Sequence, residues 1–383
     1  MSFRKISESI KEDFKMLSTE EYQRYNRQML MPEFGLAGQE KLKDSKVLVI
    51  GCGGLGSPIL LYLTAAGIGT LGIVENDTVD VSNLQRQIIY SSLSVSYAKI
   101  DETEKRLKDL NPFVKINKYT TRLTSENALE IIKNYDIVID GTDNFPTRYL
   151  VNDACVMLNK PFVYGAIYRF EGQVAVFNYE GSSTYRDLFP TPPPPQQAPN
   201  CAEAGVLGVL PGIIGSMQAL EAIKVIIRIG EPLAGKLLVL DTLSMQSRII
   251  KIPKMPDTPK ITELVDYEEF CGNYELRTGG VSLTNEESKF LHEIAYQELL
   301  QLTDYQLIDV REPHEFAIKN LGGELMPLSE LEKYLPKISR DKTVVVHCQS
   351  GVRSLKAIKI LQEKYGFDNL VNLKGGVNLI LSE

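Results

Sequence analysis

The sequence predicts an α/β protein with two units, a larger one built on a mainly parallel sheet and a smaller one with a sheet of its own. Three observations carry this. From Lys46 onward, short continuous apolar runs alternate with amphipathic stretches, the pattern of strands covered by helices on both faces. The rhythm breaks in a polar, proline-bearing stretch at 253–290 and then begins again. A chain of 383 residues has room for more than one core.

The elements follow in order. Residues 1–20 read as a polar helical lead-in. KVLVIG is a strand, PILLYLTAAG a helix ended by Gly67, and TLGIVE the next strand. Residues 97–110 read as a helix, VKINKY as a strand, SENALEIIKNY as a helix and DIVIDG as a strand. TRYLVNDACVML is a helix and PFVYGA a strand. QVAVFNY and KLLVLD are later strands, with a long apolar helix near 211–228 between them. Residues 180–200, EGSSTYRDLFPTPPPPQQAPN, lack periodicity and read as an exposed crossover loop. Residues 253–290 read as a linker. Beyond it QLIDV, SELEKYL, TVVVHC, VRSLKAIKILQEKYG and NLVNL alternate strand and helix.

Composition narrows the function classes. Hydrophobic residues make up 43% and charged residues 24%, a globular balance. The net charge of −7 argues against direct nucleic-acid binding. No window approaches the roughly 18 uninterrupted apolar residues of a membrane span. The first residues, MSFRKISESIKEDFK, have no apolar signal core, so the cytoplasm is the expected compartment. Cys52, Cys155, Cys201, Cys271 and Cys348 are odd in number and form no CxxC, which favours free thiols over disulfides.

The first chemical constellation begins with Gly51-x-Gly53-x-x-Gly56 between a strand and a helix, with Glu75 at the end of the next strand. This is a Rossmann-like fingerprint. Glycines let backbone approach phosphate, and an acid can accept ribose hydroxyls. Its commonest owner is an NAD-dependent dehydrogenase. The surroundings suit a nucleoside triphosphate better. Ser82-Asn83-Leu84-Gln85-Arg86, Lys99 and Gly141-Thr142-Asp143-Asn144 follow, and Asp143 lies at the carboxyl end of a strand. There a carboxylate can hold Mg²⁺ while arginine and lysine neutralise phosphate charge. Each residue alone reads as a surface ion pair; together at one sheet edge they read as a site.

At these residues the chain resembles the MoeB/ThiF family, relatives of the ubiquitin-activating enzyme. The resemblance rests on Tyr25-Asn26-Arg27-Gln28, GCGGLG, SNLQRQ, GTDN, FEGQV, PPPP, NCAEAGVLG and GSMQALEAIK, and covers about residues 20–272. It implies a homodimer that binds Mg-ATP and the C-terminal Gly-Gly tail of a ubiquitin-like sulfur carrier of the MoaD or ThiS kind. It places Gly54, Glu75, Ser82, Asn83, Leu84, Gln85, Arg86, Lys99, Asp143 and Asn144 around the nucleotide. It makes Arg27 the arginine that reaches in from the other subunit. Glu75 stands where the family usually has Asp. The chemistry follows: a carboxylate becomes an acyl donor by attack on the α-phosphate, and cations offset the repulsion of two anions.

Cys201, in NCAEAG after the proline-rich loop, is by this resemblance the thiol that acts after adenylation; the ordinary alternative is a buried structural cysteine. Many family members carry two CxxC pairs that hold zinc. Here Thr184, Asp187, Glu268 and Cys271 occupy those positions, a poor ligand set, so no structural zinc is expected. Cys52 and Cys155 read as structural.

The second constellation, VVVHCQSGVRSLKA, puts Cys348 at the end of an apolar strand with Arg353 after four intervening residues, where a helix begins. Loop amides, a helix N-terminus and Arg353 can stabilise a thiolate or persulfide. Cys-based phosphatases place five residues between the two, a wider cradle. With DVREPHEF (309–316) and Lys374-Gly-Gly376-Val, the segment 290–383 resembles a single-domain rhodanese. Asn320 stands where His is usual and Ile380 where Trp is usual. His347 and His314 read as structural.

The boundaries drawn are 1–19 lead-in, 20–272 MoeB/ThiF-like adenylyltransferase domain, 273–289 linker and 290–383 rhodanese domain. The joint expectation is a sulfur-carrier adenylyltransferase fused to a sulfurtransferase, loaded by thiosulfate or a cysteine desulfurase persulfide. Cys201 resolves an acyl disulfide or forms a thioester first; both orders stay open. The pathway stays open among molybdopterin, thiamine, cysteine and tRNA thiolation. A degenerate module that binds a ubiquitin-like partner without chemistry is the alternative, opposed by Arg27, Arg86, Lys99 and Asp143.

Overall fold

The computed structural model describes residues 17–192, 205–256, 258, 260–271 and 292–377. The chain divides into two compact units, 1–278 and 279–383.

The first unit opens with the helix Thr19–Met29, started by a reciprocal cap: Ser18 Oγ accepts the Glu21 amide at 3.2 Å, and Glu21 Oε2 accepts the Ser18 amide at 2.7 Å. Its sheet contains β1 (Lys46–Ile50), β2 (Thr70–Val74), β3 (Lys115–Tyr119), β4 (Ile137–Asp140), β5 (Phe162–Tyr168), β6 (Glu171–Phe177), β7 (Lys236–Asp241) and β8 (Gln246–Lys251). The order is β3-β2-β1-β4-β5-β6-β7-β8. Pairings are parallel from β3 to β5 and antiparallel from β5 to β8. Alternate residues feed two cores. Val47 and Val49 join Leu63, Ile73 and Ile139 in one, and Leu48 and Ile50 join Val138, Tyr149 and Phe162 in the other. Each fully buried apolar side chain contributes roughly 1.5–3 kcal/mol before entropy is counted.

The helix Val209–Ile227 is long and apolar enough, by length and composition, to cross a membrane. Its apolar residues have another use here: Leu210, Ile214, Ala219, Ala222 and Val225 are buried in the first core, against the helix Gly56–Ala66 and strands β5 and β6.

Several expectations need correction. The helix expected over 125–135 is only Ala128–Ile132. The crossover loop is not exposed at its start. Tyr185–Leu188 is a short helix whose Tyr185, Arg186 and Asp187 are buried, because Arg186 pairs with the buried Asp153. The stretch read as linker begins too early: Tyr267–Phe270 is a helix packed on the helix Phe145–Met157, with Tyr267 and Cys271 buried. Strand β8 was missed because every residue in it is exposed, leaving no alternation to read.

In the second unit β9 (His292–Ile294), β10 (Tyr305–Asp309), β11 (Glu324–Leu325), β12 (Thr343–His347) and β13 (Leu370–Leu373) pair in parallel in the order β11-β10-β12-β13-β9. Val344 and Val346 enter one core, while Val345 enters another with Leu299 and Leu373. The expected helix SELEKYL is a 3₁₀ helix, Leu328–Lys337, containing Pro336, which has no amide hydrogen for an α-helical ladder.

Candidate active sites

In the first unit, strand order reverses between β1 and β4, and the loops after these two strands lie side by side. The Gly141 amide donates to the Ile50 carbonyl at 2.8 Å. A Cβ on Gly141 would stand 2.9 Å from that oxygen, and one on Gly56 would stand 2.1 Å from the Gly51 carbonyl oxygen. Only glycine permits both approaches. The result is a cradle of backbone at the sheet's carboxyl edge, with a helix N-terminus at Gly56.

Glu75 braces this cradle. Its Oε2 accepts the Cys52 amide at 2.9 Å, and its Oε1 accepts the amides of Asn76 and Asp77 at 2.9 and 3.0 Å. Asp77 in turn pairs with Lys99, Nζ to Oδ2 3.1 Å, and Lys99 is buried at the start of the helix Lys99–Leu110. Glycine loop, Glu75 and Lys99 are thus joined through backbone and carboxylates. Ser82 and Asn83 lie in a 3₁₀ turn, Val81–Asn83, capped by Asp80. Arg86 Nη1 donates to the Ser82 carbonyl at 3.1 Å. Leu84 is half-buried and Gln85 exposed. Gly54 packs its backbone against Pro211. Asp143 is exposed at the edge, and Asn144 caps the next helix through the Thr147 amide at 2.9 Å. Arg27 is exposed on its helix and, among the described residues, has no ion pair.

Sequence reasoning missed the buried pair below Asp143. Asp140 Oδ1 accepts the Thr142 amide at 2.9 Å and the Thr142 hydroxyl at 2.6 Å, while Oδ2 accepts from Arg148 Nε at 3.2 Å. Gln218 Nε2 holds the Asp140 carbonyl at 2.7 Å. Burial pushes the Asp140 carboxyl up, and Arg148 works against that shift. These bonds fix the loop that presents Asp143. The signal was partial: an arginine in the first turn of a helix, four residues after Asn144 and followed by Tyr-Leu-Val, needs a partner if that face is buried.

In the second unit, Cys348 follows β12 and is fully buried. The loop turns at Gly351, φ 97°, whose amide donates to Cys348 Sγ at 3.1 Å. Ser354 Oγ lies 3.6 Å from the same sulfur. Arg353 donates through both terminal nitrogens to Glu315 at 2.6 Å each, and those bonds hold the Glu315 carboxyl down at about 2. Arg311 is bidentate on Asp309 and donates to Gln349 Oε1 at 3.0 Å, tying the loop to β10. A Cβ on Gly376 would meet the Cys348 carbonyl oxygen at 2.3 Å, which accounts for the paired glycines of Lys374-Gly-Gly376. His347 is buried beside Asp309, and burial pulls its pKa down. Asn320 serves its own turn, donating to the Phe316 carbonyl and accepting the Gly322 amide. Ile380 and Cys201 lie outside the described residues.

Residues 25–260 match the ThiF family and residues 294–383 match the rhodanese-like domain. The chain belongs to the ThiF family. It is 46% identical over 372 residues to a protein of Mycobacterium tuberculosis named probable adenylyltransferase/sulfurtransferase MoeZ, covering 94% of this chain and 93% of that one. The sulfur carrier protein adenylyltransferase of Thermus thermophilus is 54% identical over 264 residues, 66% of this chain and 97% of its own. The adenylyltransferase and sulfurtransferase MOCS3 of Arabidopsis thaliana is 39% identical over 390 residues, covering 94% and 83%. Among solved structures, PaaA superposes with a TM-score of 0.55 at 25% identity, over 63% of this chain and 76% of its own. E. coli MccB with ATP shares the fold, with a TM-score of 0.56 at 20% identity, over 67% and 81%.

In this ThiF-family chain three of the four positions weighed for zinc are otherwise engaged, and the fourth is buried. Asp187 Oδ2 accepts the Thr184 amide and hydroxyl at 2.6 and 3.0 Å, and its Oδ1 accepts the Met255 amide at 2.8 Å and the Thr258 hydroxyl. Glu268 pairs with Arg122. Cys271 is buried, and its thiol is pushed up to about 12. Among the described residues no group of three or more His, Cys, Asp or Glu is placed to hold a metal ion. Beside them Arg186 is bidentate on Asp153, and Tyr267 Oη donates to Asp153 Oδ2 at 2.6 Å.

Proposed function

We propose that the chain uses ATP to adenylate the C-terminal glycine of a ubiquitin-like sulfur carrier and then transfers sulfur to it from a Cys348 persulfide, leaving a thiocarboxylate. One observation carries this: a single chain, collinear with relatives named adenylyltransferase/sulfurtransferase, joins the glycine cradle of the first unit to the inward-turned Cys348 loop of the second. An NAD-dependent dehydrogenase has no use for the second unit, and a passive binding module none for either loop.

The adenylyltransferase half spans 20–272 and the rhodanese half 290–383, with 273–289 between them. The carrier's carboxylate oxygen attacks the α-phosphorus and pyrophosphate leaves. The backbone cradle, with Gly54, takes the phosphates; Glu75 holds the loop and offers its remaining lone pairs to the ribose. Lys99 and Arg86 offset negative charge, and Arg27 completes the site of a second copy in a homodimer. Asp143 would hold Mg²⁺, which supplies charge neutralisation at phosphate. The fit rests on the donor set: an exposed carboxylate at the sheet edge, with its loop fixed from below by Asp140.

In the second half, the Cys348 thiolate takes the sulfane sulfur of thiosulfate, and sulfite leaves with the electron pair of the broken S–S bond. A cysteine desulfurase persulfide serves equally. The terminal sulfur of the Cys348 persulfide attacks the acyl carbon, displacing AMP. Cys201 thiolate then attacks the Cys348 sulfur of the acyl disulfide, releasing thiocarboxylate and leaving a Cys201–Cys348 disulfide for a reductant. A prior Cys201 thioester is the other order. The adenylating unit closes without zinc, the place being taken by the Asp187 and Arg186–Asp153–Tyr267 hydrogen bonds. The protein works in the cytoplasm, apart from membranes and nucleic acid. Incubation with ATP, thiosulfate, reductant and a Gly-Gly-ending carrier should release pyrophosphate and add to the carrier the mass of one oxygen-to-sulfur exchange. Absence of pyrophosphate release with every carrier of this type would overturn the reading.

A further inference from the structure

Ser354 occupies a position the mechanism above leaves without a task. It lies in the first turn of the helix Val352–Tyr365, fully buried. Its hydroxyl has one hydrogen and three acceptors around it: Asn372 Oδ1 at 2.7 Å, the Gly351 carbonyl at 2.9 Å and Cys348 Sγ at 3.6 Å. Asn372 is itself buried on β13, and its Nδ2 donates to Glu293 Oε1, on β9, at 2.6 Å. A carboxylate only accepts, so the amide nitrogen must face Glu293 and the amide oxygen must face Ser354. The hydroxyl hydrogen therefore has two neutral resting acceptors, of which Asn372 Oδ1 is the nearer, and a third, the sulfur, whose strength depends on its charge.

A neutral thiol is a weak acceptor, and the hydrogen rests on Asn372. A thiolate is a strong one, and a hydrogen bond to a charged group outweighs one to a neutral amide. We propose that Ser354 is a catalytic hydroxyl of sulfur transfer, turning its hydrogen from Asn372 to the Cys348 sulfur whenever that sulfur becomes an anion. The Cys348 sulfur is anionic at one stage of the cycle, from its release by reduction until it takes sulfane sulfur. Asn372 is the positioning residue, and Glu293 sets which way Asn372 faces. The charged groups near the loop do not substitute for this hydroxyl. Arg353 and Arg311 give their hydrogen bonds to Glu315 and Asp309, so Arg353 reaches the sulfur only through space, and burial pulls the His347 pKa down. The Gly351 amide is the sulfur's other close donor, and it donates whether or not the sulfur is charged.

The proposal rests on Cys348 as the sulfur-bearing nucleophile, and its test is separable from that reading. The full-length protein is alkylated with iodoacetamide across a pH series, and Cys348 modification is followed by site-resolved mass spectrometry. Ser354→Ala should slow alkylation at neutral pH about tenfold and move its pH midpoint to the alkaline side. Ser354→Thr, which keeps the hydroxyl, should restore the parent profile. Asn372→Ala removes the nearer of the two competing acceptors, leaving the Gly351 carbonyl, and should move the midpoint to the acid side. A Ser354→Ala profile that superimposes on the parent overturns the proposal. So does an alkaline shift in Asn372→Ala, or no shift there, which decides the matter even if Ser354→Ala does not fold. Failure of the parent protein to take sulfur from thiosulfate or a persulfide donor would instead overturn the sulfur-transfer reading, whatever the alkylation profiles.

Discussion

The two loops at the ends of β1 and β12 use the same materials, glycines, amides and an arginine, but differ in how their charges stand at rest. Around the first, Asp143 is exposed, and Lys99 pairs with Asp77. Around the second, both arginines are matched: Arg353 by Glu315 and Arg311 by Asp309. A site for a polyanion keeps its charges for the ligand, because the ligand brings its own countercharge. The second loop is closed around one sulfur atom, with the Gly351 amide and the Ser354 hydroxyl as its near neighbours.

That contrast can be broken most sharply at Cys348. Cys348→Ser should abolish thiocarboxylate formation while carrier adenylation continues, since a hydroxyl cannot carry sulfane sulfur. An unchanged yield of thiocarboxylated carrier, read by mass spectrometry, would reduce the second unit to a docking module. At the open site, Asp143→Ala should lower ATP–pyrophosphate exchange by roughly a hundredfold to a thousandfold, the usual cost of removing one group that meets developing charge. Exchange at the parent rate would remove Asp143 from the site. A finer cut comes from mixing. Arg27→Ala and Asp143→Ala chains, each inactive alone, should recover about a quarter of parental exchange once subunits have equilibrated, because half the dimers are mixed and each of these has one intact site. Subunit exchange without recovery would confine Arg27 to its own chain.

The closed site offers a pH test. Glu315 is lowered from 4.5 to about 2, chiefly by its hydrogen bonds to Arg353. A depressed carboxyl adds stability that is complete above its unfolded value and is lost as pH falls through its folded value. Glu315→Gln should therefore lower the melting temperature by about 1–5 °C at pH 6, with the deficit steady to about 4.5 and shrinking towards 2. A deficit that disappears already between pH 6 and 5 would mean that the pair does not form. The smallest effect should come from chelation: a zinc chelator should leave the unfolding of the first unit within about 1 °C, and metal analysis should find well under one zinc per chain.

Much of this was legible from residues alone. The placement of the glycines at 51–56, of Asp143 after a strand and of the Cys348-to-Arg353 loop was legible, because backbone cradles demand glycine and short loops demand fixed spacing. What was not legible depends on long-range partners. Nothing near Glu315 in the chain announces Arg353, thirty-eight residues on. Asp140 and Arg148 read as parts of a strand and a helix until the fold buries them together. Strand β8 carries no periodicity, since both its faces are exposed, and the loop at 180–200 looked solvated until Asp153 met Arg186.

The clasp built on Asp187, Arg186, Asp153 and Tyr267 has a consequence for an enzyme that handles reactive sulfur. Zinc thiolates are nucleophiles, and a four-cysteine centre would offer four destinations for a stray sulfane atom or an oxidant. Oxygen and nitrogen donors offer none. The cysteine left there, Cys271, is buried with its thiol pushed up to about 12, and burial likewise raises Cys52 and Cys155. If Cys348 carries the sulfur, as proposed, the buried thiols of the first unit are kept inert to that cargo by their chemistry.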